Sequence, residues 1–213
     1  MASLSRWNEI FLELGLKPDP EVHADLRHRY SQPSRAYHNL HHVLECLQLF
    51  EAHRPQARCP QEVELGIWFQ GAIRELRRAD NELRSALWAR RTLKAAGADV
   101  ARCDRVHDLV LATAPHAETQ TDDEVLLLDI VDGIYGARPS RYDEYERQLR
   151  QEHRHLPDNL YRSTRRKHLR DLLAAPQIYR TAPFRDRYEA MARANIARTL
   201  RQGTGPLPPF ALS

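Results

Sequence analysis

The sequence predicts an all-α protein, because apolar residues recur at helical spacing along most of the chain and no stretch shows the alternation of a strand. Positions 43–50 and 103–110, for example, repeat apolar side chains three and four residues apart. A chain of 213 residues with 42% hydrophobic content can bury one full core, and no block of altered composition divides it. We therefore expect a single-domain helical bundle.

Residues that begin or end helices divide this pattern into elements. Thr121 with Glu124, and Ser140 with Asp143, match capping boxes, in which a hydroxyl and an acidic side chain satisfy the first backbone N–H groups. Gly97 and Gly203 suit helix ends, and Pro183 suits a first turn. The predicted helices are 5–15, 20–30, 38–52, 61–72, 80–96, 99–113, 121–136, 140–155, 158–174 and 183–201.

Composition also narrows the class of protein. No apolar run approaches the roughly 18 residues that a membrane span needs, and the N-terminus lacks a basic region followed by an apolar core. We expect a cytoplasmic protein with no membrane partner. Cys46, Cys59 and Cys103 have no metal-type spacing and suit free thiols in a reducing compartment. The segment 203–213 carries three prolines and is predicted to be an extended tail.

The charge pattern favours an ordinary solvated surface. Net charge is +3, from 32 basic and 29 acidic residues whose signs are interspersed. This pattern does not favour nucleic acid as a partner. One basic cluster, Arg162, Arg165, Arg166, Lys167 and Arg170, lies on one predicted helix, which alone is weak evidence for any partner. The sequence does not indicate an oligomeric state.

Four short stretches carry a family resemblance. They read Arg-Ala-Tyr-His-Asn-Leu-His-His at 35–42, Glu-Leu-Gly-Ile-Trp-Phe-Gln-Gly-Ala at 64–72, Asp-Asn-Glu-Leu-Arg-Ser-Ala at 80–86 and Thr-Ala-Pro-His at 113–116. Together they resemble the small bacterial branch of the HD-domain superfamily, predicted metal-dependent phosphohydrolases. Segments 142–145, 150–152, 161–173 and 192–196 also look like that family's pattern. The resemblance implies an HD-domain-like helical domain over 1–202.

The resemblance also marks a departure, because the family has His-Asp where this chain has Gln70-Gly71. It places the family's first metal histidine at His42. It matches Asp129 to the first aspartate of the last ligand stretch and puts Val131 in place of the second, although a helical irregularity could bring in Asp132. An amide is a poor ligand for a transition metal, and Gly71 removes a carboxylate. We therefore expect no resident metal and no cofactor.

Eight residues remain as site candidates. By the resemblance, His42, His116, Asp129 and Glu82 are the candidate catalytic groups, and Arg35, His38, Gln70 and Arg150 are the candidate ligand-binding groups. His38 precedes His42 by four residues, which predicts the same helix face, and Gln70 continues the inner face of Val63 and Ile67. Six of them have a structural alternative. These are a buried imidazole for His42, a hydrogen bond within the remnant pocket for Gln70, an exposed loop for His116, a helix-dipole charge for Glu82 and surface ion pairs for the two arginines.

Three functions are compatible with these residues. The first is binding of a small, anionic metabolite or nucleotide in the remnant pocket without hydrolysis. The second is metal-independent acid-base chemistry, with His42 or His116 carrying the proton and Asp129 or Glu82 orienting it. The third is residual metal-dependent phosphohydrolysis, in which Asp132 and His38 replace the missing ligands.

Overall fold

The computed structural model describes residues 3–115 and 117–202, and within them it confirms the all-α class. These residues form ten α-helices and two short 3-10 helices, and no strand occurs among them. None of these helices is long and apolar enough to cross a membrane. The chain divides into two compact units, Met1–Val131 and Asp132–Ser213. The predicted tail 203–213 and the candidate His116 lie outside the described residues.

The first unit contains seven of the α-helices. Most predicted boundaries agree with the observed ones to within two residues, and α2 has the predicted bounds. Two helices end earlier than predicted: α4, predicted to reach residue 72, ends at Phe69, and α7, predicted to reach residue 136, ends at Val131. The seven are α1 (Leu4–Glu13), α2 (Pro20–Tyr30), α3 (Leu40–His53), α4 (Pro60–Phe69), α5 (Asn81–Ala95), α6 (Val100–Leu111) and α7 (Asp122–Val131), and a 3-10 turn, Arg54–Gln56, follows α3.

Helix α4 is the centre of this unit. Every residue from Glu62 to Phe69 is buried, and the helix packs against α1, α3, α5, α6 and α7. Gly66 permits a close approach of two of these helices, because a Cβ atom there would lie 3.2 Å from Leu127 of α7 and 3.5 Å from Leu109 of α6. A helix that is buried on all sides needs apolar residues around its whole circumference, which explains the sequence Leu-Gly-Ile-Trp-Phe at 65–69.

Local capping explains where several helices begin and end. At α7 the hydroxyl half of the predicted capping box is present, since Thr121 Oγ1 accepts from the Glu124 N–H at 3.2 Å. The Glu124 carboxylate accepts from the N–H of Gln120, one residue before the cap, at 2.6 Å. Gly97 follows α5 with a φ of 95°, a left-handed conformation that favours glycine. These local signals are readable from sequence, which is why the boundaries agree.

The second unit contains a 3-10 turn, Asp132–Gly136, and helices α8 (Pro139–Glu152), α9 (Asp158–Ala174) and α10 (Ala182–Gln202). The turn packs against α10. A Cβ atom on Gly136 would come within 2.7 Å of Tyr188 and 2.8 Å of Tyr179. The Asn195 side chain of α10 donates to the carbonyls of Tyr135 and Ala137 at 2.9 and 2.8 Å. The turn thus depends on contacts from residues far along the chain.

Two predictions about this unit were wrong. The predicted helix 121–136 ends at Val131, because the following residues adopt the 3-10 turn that packs on α10. The predicted capping box of Ser140 and Asp143 is absent, since α8 begins at Pro139 with Arg138 in the cap position. Asp143 instead pairs with Arg198 of α10 at 2.5 Å.

Candidate functional site

The site is built from the first turn of α3 and the residue after α4. Asn39 caps α3, because its side-chain oxygen accepts from the N–H groups of His41 and His42 at 2.9 and 3.2 Å. Its side-chain nitrogen donates back to the Ala36 carbonyl at 2.9 Å. One asparagine therefore fixes both the helix start and the preceding segment, which places His42 in the first turn with a defined orientation.

His42 and Gln70 meet in the interior of the first unit. The Gln70 amide nitrogen lies 3.4 Å from His42 Nε2, and the two residues are only 8% and 4% exposed. When the amide donates, Nε2 accepts and carries no proton. The Cys46 thiol, one turn further along α3, lies 3.7 Å from both ring nitrogens. The imidazole therefore has neutral polar neighbours on two sides.

His38 joins this group by a route that the sequence analysis did not foresee. It precedes α3, so the predicted sharing of a helix face with His42 is wrong. Both rings instead pack on Tyr37, with centroid separations of 4.7 Å for His38 and 4.6 Å for His42. The two imidazole rings are 5.8 Å apart. His38 is half-buried, whereas His42 and Tyr37 are buried, so His38 is the solvent-facing member of the three.

Arg35 stabilises the turn of the backbone at residues 70–72, directly after α4, which is called the corner below. Its guanidinium donates to the carbonyls of Gly71 at 2.5 Å and Ala72 at 2.9 Å, and to that of His38 at 3.3 Å. It also lies over the ring of Tyr30, 5.0 Å from its centroid. A cation here complements the negative end of the α4 dipole. The geometry makes Arg35 a positioning residue that joins the His38 segment to the Gln70 corner.

Tyr30 secures the same corner from α2. Its hydroxyl donates to the Trp68 carbonyl at 2.9 Å and accepts from the Gly71 N–H at 3.2 Å. Burial is the main cause that raises the pKa of this hydroxyl, so it remains protonated. A Cβ atom on Gly71 would lie 3.6 Å from the Tyr30 oxygen, an ordinary contact, and the glycine φ is not positive. The backbone therefore does not require glycine at position 71.

Asp129 is fully buried on α7. Two contacts between α7 and α4 show which part of α4 lies beside it. Asp123 accepts from the N–H groups of Arg58 and Cys59 at the start of α4, at 2.7 and 2.9 Å, while Leu127 faces Gly66 further along. The helices α4 and α7 therefore run in the same direction. Asp129 comes two residues after Leu127, about 3 Å nearer the end of α4 that carries Gln70.

The other predicted site residues lie elsewhere. Glu82 is half-buried in the first turn of α5, where a carboxylate complements the helix dipole. Arg150 belongs to the second unit, where it donates to the carbonyls of His153 and Leu156, pairs with Asp158 and stacks on Tyr161. The Arg150 guanidinium therefore stabilises the turn that follows α8.

Asp132, the alternative metal ligand, pairs with Arg180 at 3.1 Å in the second unit. In residues 3–115 and 117–202, no three His, Cys, Asp or Glu side chains are grouped so that they could hold a metal ion.

Two surface clefts lie away from His42 and Gln70. One, of about 580 Å³, is lined at the beginning of α4 by Cys59 and Glu62, at the end of α6 by Leu109 and Ala112, and at the start of α7 by Thr121. The other, of about 430 Å³, surrounds Glu64 and its arginine partners. His42 and Gln70 are buried, and His38 is half-buried beside them.

The sequence analysis missed three residues that complete the group. Cys46 follows His42 by four residues on a helix, and this spacing could have indicated the contact. Tyr37 precedes His38 directly, but ring packing across a helix start has no sequence signature. Tyr30 reaches Gly71 over 41 residues, and no local pattern predicts such a contact.

No family model, no curated protein and no solved structure matches this chain. The resemblance to HD-domain phosphohydrolases therefore depends on the sequence stretches that carry it.

Proposed function

We propose that this protein binds a small anionic metabolite or nucleotide at the group formed by His38, His42 and Gln70, and does not hydrolyse it. The observation that carries the proposal is the 3.4 Å approach of the Gln70 amide to His42 Nε2. The two positions that the resemblance assigned to one pocket are neighbours in space. At one of them a neutral amide stands where the family has a metal-binding imidazole.

The chemistry of this group suits recognition better than metal binding. An imidazole and an amide together offer hydrogen-bond donors and acceptors but little affinity for a divalent ion. His38, half-buried at the edge, is placed to meet a ligand first. Tyr37 and Asn39 fix the orientation of both histidines through packing and capping.

An anionic ligand is favoured by the segment that follows Gln70. The loop formed by residues 71–80 carries Arg74, Arg77 and Arg78. The Asn81 side chain fixes the loop conformation, because it accepts from the Glu75 N–H at 2.9 Å and donates to the Glu75 carbonyl at 3.0 Å. Arg78 pairs with Asp80, but Arg77 is exposed and makes no hydrogen bond or ion pair with a described residue. The loop therefore leaves positive charge close in sequence to the site.

A thermal-shift screen tests this proposal. The protein is titrated, in a buffer that contains a metal chelator, with inorganic phosphate, nucleoside mono-, di- and triphosphates and sugar phosphates. We expect at least one of these anions to raise the melting temperature. Gln70→Glu, which places a negative charge in the group, and His38→Ala should both remove that shift. His41→Ala is the matched control, because His41 lies on the exposed side of α3, near Glu45. An unchanged shift in both site variants would disprove the assignment.

Acid-base chemistry without a metal is the second candidate, and the environment of His42 favours it. A ring nitrogen that accepts from Gln70 is unprotonated and can take a proton from a substrate. A bell-shaped or sigmoid pH dependence of turnover, lost in His42→Gln, would distinguish this reaction from simple binding.

A further inference from the structure

The whole-chain charge of +3 conceals a division between the two units. Residues 132–213 contain 16 arginines and lysines and 9 aspartates and glutamates, so this unit carries a net charge of +7. Residues 1–131 contain 16 basic and 20 acidic residues, a net charge of −4. The interspersed signs that favoured an ordinary surface are therefore a property of the whole chain and not of its second unit.

Helix α9 concentrates part of this charge on one flank. Tyr161, Arg165 and Leu169 form its buried side. Arg162, Arg166 and Arg170 follow one another at intervals of four residues, so they form a stripe along the helix with about 6 Å between successive arginines. Each of these arginines directly follows a residue of the buried side, so the stripe lies at the border between the buried and the exposed sides of the helix.

The outer arginines of the stripe make no close polar contact within the described residues. Arg162 and Arg170 are exposed, and neither makes a hydrogen bond or ion pair with a described residue. Arg166 donates to the Leu200 carbonyl of α10 at 3.3 Å, which holds the stripe against the end of that helix. The exposed Arg201 follows directly in sequence. Buried Arg165, by contrast, is committed to Glu146 and to the rings of Tyr135 and Tyr145.

We propose that the arginine flank of α9 is a docking surface for double-stranded DNA, held through its phosphates. Arginines aligned along one helix match a linear array of negative charges. The exposed side of α9, with Ser163 and Lys167, is polar, and the major groove of B-form DNA admits a helix, whereas the major groove of duplex RNA is too narrow. Every tyrosine and phenylalanine described in this unit is buried or half-buried, so no stacking platform for single strands is exposed.

The test uses the full chain and a labelled DNA duplex of mixed sequence, with binding followed by fluorescence anisotropy. Binding should weaken steeply between about 50 and 200 mM salt, because bound phosphates release counterions. The double variant Arg162→Glu with Arg170→Glu should lose at least tenfold in affinity. Its slope of log affinity against log salt should fall by roughly two. The control, Arg91→Glu with Lys94→Glu, makes the same charge change on exposed residues of α5 and should bind as the parent does.

Circular dichroism of both double variants shows whether they keep the fold. The proposal is overturned if the parent shows no salt-dependent binding, or if the α5 control loses as much affinity as the α9 variant. It is also overturned if duplex RNA, single-stranded DNA or anionic phosphatidylserine vesicles bind and duplex DNA does not. These outcomes are distinguishable from failure of the small-ligand proposal, because that proposal is tested by the variants of His38 and Gln70 and this one by the variants of α9.

Discussion

Arg6 of α1 forms a two-pronged ion pair with Glu64 in the middle of α4, with donor distances of 2.9 and 2.7 Å. Glu64 is 3% exposed, and Arg54 at the end of α3 binds the same carboxylate. One buried acid thus ties α1 and the end of α3 to the central helix. The pair is more than a surface contact because its carboxylate is withdrawn from water.

Removal of Glu64 should therefore destabilise the first unit. Glu64→Ala leaves two arginines facing a void, but both remain partly solvated, so we expect a loss of about 2–3 kcal/mol in the free energy of unfolding. Chemical denaturation followed by circular dichroism measures it. Glu51→Ala is the control, since Glu51 pairs with the same Arg54 from an exposed position, and it should change stability by less than about 1 kcal/mol. Equal losses in both variants would contradict the assignment.

Arg35 should matter for stability and for the site together. Arg35→Ala leaves the Gly71 and Ala72 carbonyls without their side-chain donor, at a cost of about 1–3 kcal/mol for each one that stays buried. Arg35→Lys should rescue little, because an ammonium group lacks the planar fork that reaches several carbonyls at once. Calorimetric melting compares the three proteins. Full rescue by lysine would show that charge alone, and not this geometry, holds the corner.

Metal binding can be tested by restoring the residues that the resemblance expects. The parent protein should contain no stoichiometric Mn, Fe, Ni or Zn by elemental analysis. The triple variant Gln70→His, Gly71→Asp, Val131→Asp should bind Mn²⁺ or Ni²⁺ more tightly in titration calorimetry. Gly71→Asp alone should fold, since a Cβ atom at that position meets only ordinary contacts. A folded triple variant without metal affinity would mean that the alignment of this site is wrong.

Acid should destabilise the second unit partly through Glu189. Burial alone would raise the pKa of this carboxyl, but the hydrogen bonds from the N–H groups of Ile178 and Tyr179, together with Arg193, have the larger effect. The net result is a pKa below the usual 4.5. Because the folded pKa is depressed, the stabilisation is present above pH 4.5 and is lost as pH falls through the folded value. Glu189→Gln should flatten the stability profile in this window. Asp186→Asn, at an exposed site of the same helix, should leave the profile unchanged.

Local signals predicted most of the fold. Helix periodicity and caps gave α2 and α9 with their observed bounds, since the residues that decide them are adjacent in sequence. The turn at 132–136 could not be foreseen. It depends on Gly136 fitting under Tyr179 and Tyr188, which lie more than 40 residues away. Gly133 and Gly136 weaken a helix in this stretch, but they do not show at which residue the helix ends.

The site was predictable in part. The resemblance, together with the position of Gln70 on the inner face of its helix, indicated that His42 and Gln70 point towards the same space. Arg35 and Arg150 were expected to bind an anionic ligand, yet the structure shows both donating to main-chain carbonyls at turns. A guanidinium that stabilises a turn and one that recognises a ligand have the same sequence signal. Only the position of the carbonyls distinguishes them.

The space beside Gly71 has a consequence for how this chain can change. Tyr30 and Arg35 hold the backbone of the corner through main-chain atoms, so the side chains at positions 70 and 71 contribute little to keeping it in place. Substitutions there can alter the chemistry offered to a ligand while the helices remain as they are. The polar groups at these two positions can therefore be exchanged without rebuilding the packing around them.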